Sequence, residues 1–236
     1  MELARQMTLL AQQPFQALKY VELPAEIWAN PTHCQEDAPN VISMVSQFNV
    51  LAHWTAAQVM HQNLDRRILL VEHVLAVAER CFRIRNYFSC FAIISGLRSP
   101  PVQQLRHTWA RISSAAASSF ETLEKVFSSN DNFAVYRKVL DKTDAPCIPF
   151  FGVYLRDLAA VDAQEENMLQ KDIINFSKYA KMADVVRQIK RFKACPYNFQ
   201  EVPPQPHYCV LMLAVRIIND RSQSYYRSFK PAHQFP

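Results

Sequence analysis

From Cys81 to Trp109 the chain reads CFRIRNYFSCFAIISGLRSPPVQQLRHTW, and this segment contains clear helix boundaries. Asn86 is a suitable N-cap for a short helix that ends at about Leu97. The step Ser99-Pro100-Pro101 places proline at the first positions of another helix, which we expect to cover Val102–Ile112. The segment therefore predicts two successive helices.

Longer helices are predicted on both sides of this segment, because apolar residues recur there at steps of three and four. One apolar stripe runs from Leu64 to Phe82 and follows Asn63, a suitable N-cap. A second stripe runs from Ile173 to Phe192 and ends before Pro196. Strand-like alternation is nowhere sustained, so we expect an all-α fold of ten or so helices. Further helix starts are predicted at Asn40, Ser119, Asn130–Asn132 and Pro149, and a last helix at Tyr208–Ile218.

Glycine is scarce in this chain, with 2 glycines in 236 residues, where average usage would give roughly 16. Gly96 and Gly152 stand far apart, which excludes the P-loop and the dinucleotide-binding fingerprint. A β-rich fold with many tight turns is also disfavoured. We expect Gly152 to permit close helix packing. The composition indicates a single helical domain over residues 1–230, followed by a tail at 231–236.

Patterns that would indicate covalent catalysis or a bound metal are missing from the sequence. The histidines and cysteines are scattered, with neither HExxH nor CxxC spacing. We therefore expect no metal and no cofactor, and cysteines that are reduced and mostly buried. The carboxylates of Asp162–Glu166 are typical of a solvated loop or helix end.

The net charge of +5 is compatible with an acidic protein partner, an anionic membrane or RNA. Basic residues concentrate between Lys178 and Lys193, mostly off the apolar stripe, which favours a solvated helix face. A binding patch for acidic protein, membrane or nucleic acid is the alternative. The apolar run at Tyr208–Val215 is too short to span a bilayer, and we expect a cytoplasmic protein.

Three segments, in order, resemble the catalytic domain of Ras-type guanine-nucleotide exchange factors. The first is APNVISMVSQFN at 38–49, and the second is the segment 81–109 quoted above. The third is PCIPFFGVYLRDL at 146–158, followed by IINFSK at 173–178. The opening ARQMTLL at 4–10 is also similar to the first helix of the family. The resemblance covers about residues 2–230.

The resemblance implies an all-helical bowl from which a helical hairpin protrudes, at about residues 149–193 with arms 150–161 and 171–193. Members of this family bind a small GTPase of the Ras, Rap or Ral type and form no covalent bond with it. The hairpin opens the nucleotide site, so that GDP leaves and GTP replaces it. The resemblance implies no nucleic-acid partner. Membranes would be reached only indirectly, through the lipidated GTPase or through domains outside this chain.

The resemblance also assigns site residues. On the hairpin, Ala159 matches an apolar position that crowds the metal site of the GTPase. Asp162 or Ala163 matches an acidic position that interferes with phosphate. Phe150 and Tyr154 recur at helical spacing and are expected to brace the hairpin. The expected GTPase-binding groove consists of Ile42, Val45, Ser46, Phe91, Arg98, Gln103 and Phe133.

The sequence departs from the family pattern at three of these positions. Arg98 stands where the family usually has asparagine, and an arginine is longer and always charged. Ala163 cannot repel phosphate, and Ala159 is a small wedge. These changes keep a second function open, namely a scaffold that binds a GTPase or another signalling protein without promoting exchange. A third alternative, an RNA- or membrane-binding helical module, depends only on the basic stretch 178–193.

Overall fold

The computed structural model describes residues 2–30, 32–164, 166–170 and 173–202, and most of this part of the chain is helical. The predicted all-α class is confirmed. Two short antiparallel strands, β1 (Met168–Gln170) and β2 (Ile173–Ile174), are the exception. The helices are α1 (Glu2–Ala17), α2 (Ala25–Trp28), α3 (Cys34–Asp37), α4 (Pro39–Val59), α5 (Leu64–Arg83), α6 (Tyr87–Leu97), α7 (Pro100–Gln103), α8 (Arg106–Trp109), α9 (Ser114–Val126), α10 (Ala134–Asp141), α11 (Gly152–Gln164) and α12 (Phe176–Lys193), with a 3-10 turn at Tyr20–Glu22.

Helix α6 lies at the centre of the core, and ten of its eleven residues are buried. A helix that is apolar on all sides has to be enclosed by other elements, and α4 and α5 pack against it. Gly96 allows the contact with α4, because a Cβ atom there would lie 2.3 Å from the carbonyl oxygen of Ala52. The predicted end of this helix, at about Leu97, is confirmed.

The predicted asparagine caps of α5 and α6 are confirmed. Asn63 Oδ1 accepts a hydrogen bond from the N–H of Arg66 at 2.9 Å. Asn86 Oδ1 accepts one from the N–H of Ser89 at 3.0 Å, and its Nδ2 donates to Thr8 Oγ1 at 2.9 Å. The Asn86 side chain therefore caps the N-terminus of α6 and also connects this helix to α1.

The predicted single helix at Val102–Ile112 is wrong, because the structure has two shorter helices, α7 and α8. The indole N–H of Trp109 donates to the carbonyl of Val102 at 2.9 Å. That carbonyl also accepts the N–H of Leu105 at 3.1 Å. In a continuous α-helix the Val102 carbonyl would accept the N–H of Arg106. Here the Trp109 side chain donates to that carbonyl instead.

Four further helix starts differ from the prediction. Helix α12 begins at Phe176, because Asn175 caps it and Ile173–Ile174 pair with β1 instead. Helix α9 begins five residues before Ser119, at Ser114, where the hydroxyl of the preceding residue accepts a backbone N–H. Helices α10 and α11 begin at Ala134 and Gly152, later than expected. The predicted helix at 208–218 and the predicted tail at 231–236 lie outside the described residues.

Three of the cysteines are buried in the core, as predicted from their scattered positions. Burial raises the pKa of the Cys81 thiol to about 12, and it also raises the pKa values of Cys90 and Cys147. Cys195 is exposed and Cys34 is half-buried. Of the described helices, each is too short or too polar to cross a lipid bilayer.

We expect iodoacetamide at pH 8 to modify Cys195 in the folded protein while leaving Cys81, Cys90 and Cys147 unmodified. Alkylation requires the thiolate, which burial disfavours at these three positions. Peptide mapping by mass spectrometry measures the modification, and the same protein in concentrated urea serves as the control in which all three react. Modification of Cys81 in the folded protein at the rate of Cys195 would contradict the burial.

Candidate functional site

Five phenylalanine rings from separate parts of the chain form an aromatic cluster beside the start of α11: Phe48, Phe91, Phe127, Phe133 and Phe150. The Phe150 ring lies 4.4 Å from that of Phe91, edge to face, and 5.2 Å from that of Phe48. Phe91 stacks on Phe127 at 4.7 Å, and Phe133 is 5.8 Å from Phe150. These spacings are favourable for aromatic pairs. The structure therefore brings together three predicted site residues, Phe91, Phe133 and Phe150, and buries all of them.

The backbone around Phe150 is held by two specific contacts. Its N–H donates to the hydroxyl of Tyr136 at 2.7 Å. A Cβ atom at Gly152 would lie 2.4 Å from Cζ of the Phe150 ring, so this glycine provides space for the ring. The nearest approach at Gly152 is therefore to the Phe150 ring, and close helix packing there stays a prediction. Phe150 itself precedes α11, whereas Tyr154 lies within it and is buried, which raises the pKa of its phenol.

Of the predicted groove residues on α4, Val45 lies close to this aromatic cluster. Val45 and Ile42 are half-buried, whereas Ser46 is buried and donates its hydroxyl to the Ile42 carbonyl at 2.7 Å. Val45 lines a small cleft that lies between α4 and the beginning of α11. The same cleft is lined by Met44, Phe48, Asn49, Phe88, Phe150, Phe151, Gly152 and Leu155. The structure thus joins the α4 part of the predicted site to the beginning of α11.

Arg98 and Gln103 lie at the C-terminal end of α6 and in α7. Arg98 is exposed, and its Nε is 3.2 Å from Glu124 Oε1 on α9. Gln103 Nε2 donates to the carbonyl of Leu97 at 2.9 Å, which satisfies one of the free carbonyls at the end of α6. Both side chains therefore already have partners within the chain.

Helices α11 and α12, together with β1 and β2, form the segment that we call the hairpin, and the two helices pack against each other. Ala159 is half-buried, Ala163 is exposed, and Asp162 pairs with Lys178 of α12. The structure places these three predicted residues on one groove of about 770 Å³. Its other wall is α2. The remaining lining residues are Ala25, Glu26, Ala29, Gln164, Glu166, Asn167 and Lys178.

An ion pair between Arg137 and Asp157 connects α10 to α11, and the sequence analysis missed it. The guanidinium donates to both carboxylate oxygens of Asp157, at 2.7 and 2.8 Å. Its Nε also donates to the carbonyl of Asn132, at 2.7 Å. Asn132 and the flanking Asp131 and Phe133 have positive φ angles of 49 to 60°, an uncommon conformation for such residues. Arg137 thus holds this loop and the first half of the hairpin together.

The basic stretch from Lys178 to Lys193 is not a uniformly solvated face, so that prediction is partly wrong. Lys178 is buried against Asp162 and Asn167 at the hairpin tip, by which we mean residues 162–164, 166–170 and 173–178. Arg191 donates to the carbonyl of Thr143, and Lys193 donates to that of Leu18. Arg187 pairs with Asp184. Several of the cations that supported an RNA or membrane patch therefore bind groups of this chain.

Within the described ranges, no group of three or more histidine, cysteine, aspartate or glutamate side chains is placed to hold a metal ion. The partners of Arg137 and Lys178 could not be read from the sequence. Asp157 is 20 residues from Arg137, and Asp162 is 16 residues from Lys178, so neither pair has helical spacing. For the Asp162–Lys178 pair, the only signal in the sequence was a carboxylate on one predicted arm of the hairpin and a lysine on the other.

Comparison with known proteins identifies the relatives of this chain. The RasGEF domain family matches residues 2–180. Ras-specific guanine nucleotide-releasing factor 2 of Danio rerio is 30% identical over 237 aligned positions, which cover 100% of this chain and 19% of that protein. Cell division control protein 25 of Candida albicans is 33% identical over 206 positions, covering 86% of this chain and 16% of that protein.

A third relative, Ras-specific guanine nucleotide-releasing factor 1 of Rattus norvegicus, is 29% identical over 211 positions. Those positions cover 89% of this chain and 17% of that protein. The chain therefore spans less than a fifth of the length of these three relatives. The similarity concerns one domain of each.

Proposed function

The chain belongs to the RasGEF domain family, and from this premise we propose that it is a guanine-nucleotide exchange domain for a small GTPase of the Ras, Rap or Ral type. Several of its relatives are named as guanine nucleotide-releasing or exchange factors. Exchange of this kind breaks no covalent bond, so the domain would not be an enzyme in the covalent sense. It would act in the cytoplasm and reach membranes only indirectly, through its lipidated partner or through domains outside this chain.

The physical basis of the proposal is a shift in population. A factor that binds the nucleotide-free GTPase more tightly than the loaded form weakens nucleotide binding by the same coupling free energy. Such a factor needs a rigid surface for the GTPase and an element that competes with the nucleotide. We propose that the cleft beside Val45 forms part of this surface and that the hairpin is the element that competes with the nucleotide.

The observation that carries this proposal is the position of Phe150. Its ring touches Phe48 of α4 and Phe91 of α6, and Phe150 lies two residues before the first residue of α11. The cleft on α4 and the hairpin are therefore parts of one continuous packed unit. A GTPase segment bound at Ile42 and Val45 would have its position defined relative to Ala159 and Ala163.

The proposed function predicts that the purified protein accelerates release of fluorescent GDP from at least one member of a panel of Ras, Rap and Ral proteins. Val45→Asp is expected to lower this rate by about tenfold or more, because a buried carboxylate in an apolar contact is unfavourable. Leu69→Asp is the matched control, since Leu69 is exposed on α5, and it is expected to leave the rate unchanged.

Absence of acceleration by the unaltered protein across the whole panel, at micromolar concentration, would contradict the proposed function. The second candidate, a scaffold without exchange activity, is favoured by Ala163, which is exposed in the groove beside α2 and has no charge to repel phosphate. Tight binding of a nucleotide-free GTPase together with an unchanged GDP release rate would select that candidate.

A further inference from the structure

We propose that Asp162 and Lys178 form a positioning ion pair that holds the hairpin against α2, and that Asp162 acts through Lys178 instead of facing the nucleotide. We call these two residues the tip ion pair. The proposal deepens the proposed function and depends on it for the exchange measurement, but its structural part can be tested without a GTPase.

Lys178 is the first element of the argument, because only 4% of its side chain is exposed. Its ammonium nitrogen lies 2.7 Å from Asp162 Oδ1 and 2.7 Å from Asn167 Oδ1. A buried ammonium group is strongly unfavourable unless it is paired and hydrogen-bonded. The contacts with Asp162 and Asn167 therefore determine whether the tip can fold around Lys178 in this arrangement.

Asp162 is the second element, and both of its carboxylate oxygens already have partners. Oδ1 faces Lys178, and Oδ2 accepts the backbone N–H of Ala25, at 3.0 Å. Ala25 is the first residue of α2, so its N–H has no partner within that helix. One carboxylate thus connects three elements, α2, α11 and α12. A carboxylate with these partners is poorly placed to repel a phosphate directly.

The rest of the tip is held mainly by polar contacts. Asn175 accepts the N–H of Lys178 at 3.2 Å, and its Nδ2 donates to the carbonyl of Glu166 at 3.0 Å. Its backbone N–H donates to the carbonyl of Asn167, also at 3.0 Å. The apolar side chains of β1 and β2 contribute little burial, since Met168, Leu169, Ile173 and Ile174 are exposed. Among the described residues at this end, the tip ion pair is therefore a largely buried contact that joins the two arms.

The tip ion pair also orients Ala159, the residue expected to crowd the metal site of the GTPase. Ala159 lies one helical turn before Asp162, and both line the groove against α2. Fixing Asp162 to Ala25 and Lys178 therefore fixes the side of α11 that Ala159 presents. Loss of the pair is expected to change the hairpin orientation without affecting the aromatic cluster.

The test compares Asp162→Asn, Lys178→Met and the double variant in GDP release at saturating factor concentration. Asp162→Asn leaves Lys178 buried without its counter-ion, so we expect about a tenfold or larger loss of the saturating rate. Adding Lys178→Met removes the unpaired charge, and the double variant is expected to recover to within about threefold of the unaltered protein. Asp184→Asn is the control, because Asp184 forms an exposed ion pair on α12, and it is expected to change nothing.

The result that contradicts this expectation is a double variant whose saturating GDP release rate is as low as that of Asp162→Asn alone. That outcome means that the Asp162 carboxylate acts on the nucleotide directly, and it would overturn the proposal. Affinity for the nucleotide-free GTPase and far-UV circular dichroism are measured in parallel for each variant, so that a loss of folded protein is distinguished from a loss of the saturating rate.

Amide hydrogen exchange of the free protein provides a measurement that needs no GTPase. Asp162→Asn is expected to increase exchange at Ala25 and across residues 166–170 and 173–178, and the double variant is expected to restore much of the protection. Restored protection without any GDP release by the unaltered protein would support the tip ion pair and contradict the proposed function. Unchanged protection in Asp162→Asn would overturn the tip ion pair itself.

Discussion

Phe150→Ala is expected to lower the free energy of unfolding by about 3–5 kcal/mol, the range measured for buried Phe→Ala substitutions. The Phe150 ring contacts three other phenylalanine rings and fills the space above Gly152. Its removal would leave a cavity where α4, α6 and the start of α11 meet. Urea denaturation followed by circular dichroism measures the change.

The matched control for this variant is Phe176→Ala, the same substitution at a ring that is 80% exposed. We expect a change of less than about 0.5 kcal/mol there, because little apolar area is lost. GDP release by Phe150→Ala, measured under conditions where the variant is folded, is expected to fall as well. An unfolding midpoint equal to that of the unaltered protein would show that the aromatic cluster does not stabilise the domain.

Gly96→Ala is expected to destabilise the protein by about 1–3 kcal/mol, the usual cost of overpacking a core. Alanine has the higher helix propensity by about 1 kcal/mol, so propensity alone predicts the opposite sign. The new methyl group, however, would lie 2.3 Å from the Ala52 carbonyl oxygen and 2.8 Å from the Cβ of Thr55. A backbone carbonyl within α4 cannot rotate away, and α4 and α6 would have to separate.

Ser95→Ala on the same helix is the control for Gly96→Ala, because Ser95 is half-buried and adjacent in sequence. Its unfolding free energy is expected to change by less than about 0.5 kcal/mol. Thermal unfolding of both variants gives the comparison. A Gly96→Ala protein more stable than the unaltered chain would mean that the helices relax apart without cost.

Two of the proposed site residues differ in what the fold leaves available to a partner. Val45 is half-buried at the edge of an apolar cleft, so it can contribute further apolar area to a bound GTPase. Arg98 is exposed but already lies beside Glu124. Because an exposed ion pair contributes little free energy, Arg98 can exchange Glu124 for an acidic residue of a partner at small cost.

The helical class, the caps of α5 and α6 and the order of the family motifs were determined by the sequence alone. Asn63 and Asn86 act on backbone groups three residues away, and apolar stripes repeat every turn. Such contacts join residues that are close in the chain, so they can be read from spacing. The family resemblance supplied the names of Val45, Phe91, Phe133 and Phe150 as site residues in the same way, from short segments.

Only the tertiary structure decided how these residues are used. Trp109 ends α7 through a carbonyl seven residues away, and Arg137 and Lys178 find carboxylates on other elements. The Phe150 ring meets rings from α4 and α6 that are about 100 and 60 residues distant in the chain. Contacts of this kind depend on where whole helices lie relative to one another. Their relative placement follows from packing the complete core, which no local pattern of residues encodes.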